Sequence, residues 1–409
     1  GTRSVAIGHD ALRVQNNDST NYNVAVGFGA GEAVTTATQN TLIGGLSGDA
    51  LTSGGFNVAI GKSSLSADTQ GQTAIAVGNG ALETQNFTSS TNNYNIAIGH
   101  NAGNKVTTGI RNNLIGGLAG DALTDADYNI AIGYQALTTD TQGSRSVAIG
   151  YSALENQNFS SATDSYNTAV GYNAGNAITT GTLNTFIGGL AGDALTDADN
   201  NVAVGYLALT TDTQGSRSTA IGNQALQLQN FSSATETYNT AVGYFAGKSV
   251  TTGVNNTFIG GLSGDANTTG DYNTTLGVST LGANTASNKN TAIGGNVLVA
   301  FNVTSDTDTY NTAVGYGAGQ SVTTGVQNTL IGGLAGDALT DADHNVAIGI
   351  NALTADTKGS RSVAIGDSAL GNQNQTSSTN ADNVAVGYSS GVNITTGVGN
   401  TFVGTFSGD

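Results

Sequence analysis

Residues 167–196 read NTAVGYNAGNAITTGTLNTFIGGLAGDALT, and the same passage returns with a few letters changed from residues 239 and 311. Each passage holds two copies of a five-residue phrase that ends in Gly, here NTAVG and NTFIG. The phrase occurs 23 times in 409 residues. After a first interval of 19, its glycines are spaced 17, 17, 17 and 21 residues apart, and that series repeats. Four short units therefore make one 72-residue block. The first reads SVAIGYSAL from residue 146, the second NTAVGYNAG from 167, the third NTFIGGLAGDAL from 184 and the fourth NVAVGYLAL from 201.

A 17-residue period is too short for a helical-hairpin repeat, and apolar residues do not recur at three- and four-residue spacing. Within the phrase, alternation of β-branched and small residues is instead the pattern of a short strand. Gly follows at a bend, and a polar stretch such as ITTGTLN leads to the next copy. One unit is thus one coil of an all-β parallel β-solenoid, or β-roll, in which equivalent residues stack in columns. The absence of Pro agrees, because every interior strand of such a stack needs its ladder donors. At about 4.8 Å per coil, 23 coils make a rod on the order of 110 Å long. The fourth residue of each phrase, always Ile, Val or Leu, is expected to point inward and the third, usually Ala, outward. Leu42, Leu114, Phe186, Phe258, Leu330 and Phe402 replace that Ala, and on this parity they form an outward apolar row. A thin Ala-rich core calls for burial against partner chains, so a homo-oligomer is expected.

Composition narrows the function classes. The chain has 60 Gly, no Pro, Cys, Met or Trp, and a net charge of −17 from 11 basic and 28 acidic residues. That balance argues against nucleic acid and anionic membrane surfaces, which need positive patches. No apolar run is long enough for a direct membrane span. The array is read as one continuous domain, residues 1–409, belonging to a longer chain.

The phrases SVAIGYSAL at 146–154 and SVAIGDSAL at 362–370 resemble the head repeats of trimeric autotransporter adhesins. The NTAVGYxA copies are similar to arrays in phage tail fibres and related surface fibre proteins. The resemblance covers essentially all 23 units. It implies a left-handed roll, three chains side by side, and a place in a fibre or adhesin on a cell surface or virion. This chain departs from the adhesin heads in its 17-residue unit and periodic four-residue insertion.

The insertion gives the candidate contact surface. The connections ETQNFTSSTNNYN at 83–95, ENQNFSSATDSYN at 155–167 and QLQNFSSATETYN at 227–239 set Phe87, Phe159 and Phe231 beside Tyr94, Tyr166 and Tyr238. Aromatic rings among Asn, Ser and Thr suit contact with a glycan or host-surface receptor. The plainer expectation is that the rings fold back over the solenoid or pack between chains. The same loops carry N-x-[ST] at Asn86, Asn158, Asn230, Asn302 and Asn374, with a shifted copy at Asn17.

Other constellations are weaker. In GDALTDAD at 120–127, Asp121, Asp125 and Asp127, with Asp140 about one coil on, offer hard oxygen ligands for Ca²⁺, although a solvated Asp-rich turn explains them as well. Arg3, Arg145, Arg217 and Arg361 precede first units and lie near Asp140, Asp212 and Asp356 in sequence, which suggests inter-coil or inter-chain salt bridges. Thr pairs such as Thr107 and Thr179 recur in second units only, so a continuous Thr ladder of the kind that binds ice is not expected. GYSSG at 387–391 matches a nucleophile-elbow pattern, but Asn173, Phe245 and Gly317 stand where Ser389 does in sister coils. His9, His100 and His344 show no metal spacing. No catalytic residue, metal site or cofactor is assigned, and the chain is not read as an enzyme. The expected role is a rigid extracellular or virion fibre that attaches through its periodic loops. The alternative is a calcium-, ice- or glycan-binding solenoid module.

Overall fold

The computed structural model describes residues 2–409 as a parallel β-solenoid of about 23 turns, with roughly 17 residues per turn. The chain falls into two compact units, Gly1–Asn201 and Val202–Asp409. In the first, phrase strands of three residues run from Val5–Ile7 to Thr185–Ile187, and in the second from Val202–Val204 to Thr401–Val403. Consecutive strands within a unit pair in parallel with no slip: Ile130 faces Val147, which faces Thr168, which faces Thr185. The second unit repeats this, with Thr219, Thr240, Thr257 and Thr274 in register. A second, two-residue ladder forms at each 21-residue coil, as between Gly143–Ser144 and Thr163–Asp164 or Gly215–Ser216 and Thr235–Glu236.

The parity of the strand is the reverse of the sequence expectation. Ala148, Ala169 and Phe186, the third residues of three successive phrases, are fully buried. Ile187, one residue on, is 41% exposed, and Val170 is only half-buried. Leu42, Leu114, Phe258 and Leu330 are likewise sealed inside. The width of the coil explains this. Its inner space is closed by tight corners, and in most coils only an Ala side chain fits at the third position. Where that residue is large, the two nearest corners are glycine. A Cβ on Gly175 would lie 2.6 Å from the Phe186 ring and one on Gly192 only 2.4 Å from it. Gly103 and Gly120 stand the same way to Leu114. The interior thus alternates large and small residues to keep a constant volume.

The phrase glycine has a separate cause. At Gly171 φ is +143°, and a Cβ there would sit 2.5 Å from the carbonyl oxygen of Gly188 in the next coil. The glycine column lets neighbouring backbones touch at the end of the sheet.

The first residue of each phrase completes the frame. Asn95, Asn112 and Asn129 are fully buried. Asn95 Oδ1 accepts the backbone N–H of Asn112 at 2.9 Å, and Asn112 Oδ1 accepts that of Asn129 at 2.9 Å. Each Nδ2 donates to a carbonyl 14 residues on, Asn112 to Ala126 at 2.8 Å and Asn129 to Gly143 at 2.9 Å. The side chain thereby satisfies a donor and an acceptor that the corners leave without backbone partners. In first units, where Ala74 or Ser146 interrupts the column, the long coil supplies substitutes. Asn95 N–H turns to Asn93 Oδ1 at 3.0 Å, and Asn167 N–H to Ser165 Oγ at 3.4 Å.

Candidate interaction surface

With the third residue inside, the second and fourth residues of the phrases face outward and form two parallel columns on the sheet of each unit. The fourth is β-branched in nearly every coil and Leu at Leu276; Ile98, Ile115, Ile132 and Ile187 are each more than a third exposed. The second is Ile, Val or Thr with one Asn, and from Thr219 to Thr329 it is Thr in every coil. This aliphatic face is the largest departure from the sequence expectation, which placed the fourth residue in the core.

Tyrosines border the sheet on both sides. The residue after the phrase glycine is an exposed Tyr in several coils, and Tyr134, Tyr151 and Tyr172 stack with ring centroids 5.6 and 5.5 Å apart. The residue before the phrase forms the other column, which contains Tyr94, Arg111, Tyr128, Arg145 and Tyr166 in five successive coils. All five have left-handed φ, from 51 to 62°. The Arg111 guanidinium lies 5.2 Å from the Tyr128 ring centroid and donates to its hydroxyl; Arg145 lies 5.1 Å from Tyr128 and 5.8 Å from Tyr166.

The structure divides the six predicted loop aromatics into two groups. Phe87, Phe159 and Phe231 are 6–7% exposed and fold back over the solenoid. Tyr94, Tyr166 and Tyr238 are about half exposed and belong to the cation–aromatic column. The phenylalanines are pinned by a buried carboxylate one coil earlier. Asp140 Oδ1 accepts the N–H groups of Gly143 at 2.9 Å and Phe159 at 3.2 Å, and its Oδ2 accepts from Gln157 Nε2 at 2.6 Å. Gln157 Oε1 in turn accepts from Asn167 at 2.9 Å. Asp68 and Asp212 hold Phe87 and Phe231 identically. Burial pushes the Asp140 carboxyl above its usual range, against the lowering effect of these hydrogen bonds. In the fourth block Asn284 replaces this Asp and Phe301 replaces the matching Gln, so the carboxylate and its amide donor are lost together, while Asn284 Oδ1 still accepts the Ser287 N–H at 3.2 Å.

The expected pairing of arginines with Asp140 and Asp212 does not form, because those carboxylates are inside the coil. Arg145 pairs with Asp164 at 2.9 Å and Arg217 with Glu236 at 3.0 Å, both on the inserted loop. Lys289 takes the same place with Asp308, whose carboxyl that hydrogen bond lowers.

The acidic turns act as caps between coils. Asp127 Oδ1 accepts the Ile110 N–H at 2.7 Å, and Asp121 accepts the Thr138 hydroxyl. Burial raises the Asp121 carboxyl. Among the described residues no three His, Asp or Glu side chains are grouped to hold a metal ion. The loop asparagines are similarly engaged: Asn86 and Asn158 Oδ1 accept from Thr69 and Thr141 hydroxyls at 3.0 Å. These contacts reveal a Thr column that second-unit pairs alone do not show. Thr107, Thr124, Thr141 and Asn158 occupy successive coils, with Thr107 N–H donating to Thr124 carbonyl at 2.8 Å and Thr124 N–H to Thr141 carbonyl at 2.9 Å. Ser389 is buried, with its N–H on the Asp367 carbonyl at 2.8 Å. No helix among the described residues is long and apolar enough to cross a membrane.

No family model and no curated protein matches this chain.

Proposed function

We propose that this protein is a structural, fibre-forming component, extracellular or virion-associated, whose copies assemble side by side as a homotrimer or filament and attach through periodic surface features. The observation that carries this reading is the outward aliphatic face. Each compact unit presents Ile, Val and Thr on a strip roughly 50 Å long at about 4.8 Å per coil. Contiguous apolar strips of that kind are characteristic of surfaces that meet another macromolecule. The face repeats one geometry in every coil, so an identical copy offers a partner of matching pitch. The resemblance of SVAIGYSAL and NTAVGYNAG to adhesin-head and tail-fibre repeats supports the same arrangement.

The test is substitution on the face alone. Ile98→Lys, Ile115→Lys and Ile132→Lys together keep the inward residues Ala97, Leu114 and Ala131 unchanged. The expected outcome is a smaller species by light scattering with the β-rich circular dichroism spectrum retained. An unchanged particle mass would remove the face from the interface.

A further inference from the structure

The protein carries a net charge of −17, yet its few cations are not scattered. Six of its 11 basic residues and seven of its 14 tyrosines lie in the one column that precedes the phrase. From this concentration we infer that the stretch Tyr94–Arg111–Tyr128–Arg145–Tyr166 is a binding site for a linear acidic polysaccharide with one carboxylate on every second sugar. This inference rests on the attachment reading above.

The geometry points to this chemistry in three ways. First, Arg111, Tyr128, Arg145 and Tyr166 stack along the solenoid axis, with Tyr94 one coil earlier in the same column, so their hydroxyl and N–H groups line an exposed edge, where the Tyr166 hydroxyl also donates to Asp164 Oδ2 at 3.4 Å. Tyr94, Tyr128 and Tyr166 are each 40–51% exposed. Second, the row has the repeat of a sugar chain. Coils are about 4.8 Å apart, close to the length of one extended pyranose, so the two arginines, two coils apart, match a disaccharide. Third, the charge density suits a sparsely charged polymer. Arg145 shares its charge with Asp164 at 2.9 Å, whereas no carboxylate among the described residues lies within 4.0 Å of Arg111. A field this weak on a protein this acidic disfavours nucleic acid, whose phosphates come on every residue and need many cations. Hydroxyl-rich sugars instead use the tyrosine hydroxyls between the charges. The cation–aromatic stacking fixes both guanidiniums before the ligand arrives and so lowers the ordering cost of binding.

The experiment is calorimetric titration of the full chain with a hyaluronan octasaccharide, which alternates uronate and neutral sugars. Binding is expected, weakened at least tenfold in Arg111→Gln/Arg145→Gln and at least tenfold when the octasaccharide carboxyls are reduced to alcohols. Arg13→Gln, an exposed change outside the column, leaves the affinity unchanged. Arg111→Lys/Arg145→Lys retains most of the affinity and guards against a folding defect in the Gln variant, as does the thermal transition of each protein. The inference is overturned if the wild-type chain does not bind, if the Gln variant binds equally well, or if an oligodeoxynucleotide of equal charge binds as tightly as the sugar. Sedimentation of the same samples separates the two readings. A monomer that binds the sugar defeats the fibre and leaves this site standing, and an assembly that ignores the sugar does the reverse.

Discussion

Replacing Asn112 with Ala probes what holds consecutive coils together. Its side chain is fully buried and makes two bonds that backbone geometry cannot replace: Oδ1 accepts the Asn129 N–H at 2.9 Å, and Nδ2 donates to the Ala126 carbonyl at 2.8 Å. Truncation leaves both groups inside without partners. An orphaned buried donor or acceptor costs about 1–3 kcal/mol, so the pair should cost roughly 2–6 kcal/mol. The cavity left by the amide adds to this. Solenoids unfold locally, which makes a single global unfolding energy a poor readout. Native-state hydrogen exchange at Asn129 is the better assay, because 1.4 kcal/mol is a factor of ten and the loss should speed exchange there roughly thirtyfold or more. The effect should fade within a few coils on either side. First units provide a built-in comparison, since Ala74 occupies this column and Asn93 supplies the missing acceptor at 3.0 Å. Exchange at Asn129 within threefold of wild type would mean that the Asn column is not what binds one coil to the next.

Further predictions follow from particular side chains. Phe186→Ala empties a sealed site between Gly175 and Gly192 and should cost about 3–5 kcal/mol, read as faster native-state hydrogen exchange in its own and the adjoining coils, whereas Ile187→Ala, one residue along, should cost far less when the chain is dispersed as a monomer; equal costs would contradict the strand parity. Burial holds the Asp140 carboxyl above its ordinary value of 3.8, so the folded chain takes up its proton more readily than the unfolded one. Its contribution is therefore most favourable below pH 3.8 and is lost as pH rises through the raised folded value. Asp140→Asn should remove that dependence, and parallel pH–stability curves for the two proteins would refute it. Gly171→Ala forces a Cβ to 2.5 Å from the Gly188 carbonyl oxygen, and local exchange around residues 170–189 should rise sharply; unchanged protection there would show that the coils can separate freely at the glycine column.

The period was legible because stacking imposes it on every coil: the phrase glycines mark the one place where neighbouring backbones touch, and the missing prolines mark the continuous ladder. The direction of the side chains was not legible by the usual rule that the larger apolar residue is the buried one. At Ile149 and Val170 that rule fails, since the smaller Ala148 and Ala169 are the buried residues and the coil is too narrow to take a β-branched chain beside Ala153 or Ala174. A signal for the true parity was nevertheless present. Phe186, Leu114 and Leu330 occur in third units, whose own corner and that of the preceding second unit are glycine, while first and fourth units combine Ala148 or Ala203 with Leu154 or Leu209. Residues that trade volume must share a space. The Asp140–Gln157 pair carries the same kind of signal, because both members change together at Asn284 and Phe301. The cation–aromatic column was harder to see. Its members come from coils of unlike sequence, and only the register of the stack brings Arg111 from a third unit between tyrosines that precede a second and a fourth.

The central claim is that the outward Ile, Val and Thr columns are covered by further copies of this chain. Sedimentation equilibrium of the purified protein tests it most directly. The account predicts a mass that is a whole multiple of 40.7 kDa, three or more, holding at submicromolar concentration. A single 40.7 kDa species at every concentration would contradict it.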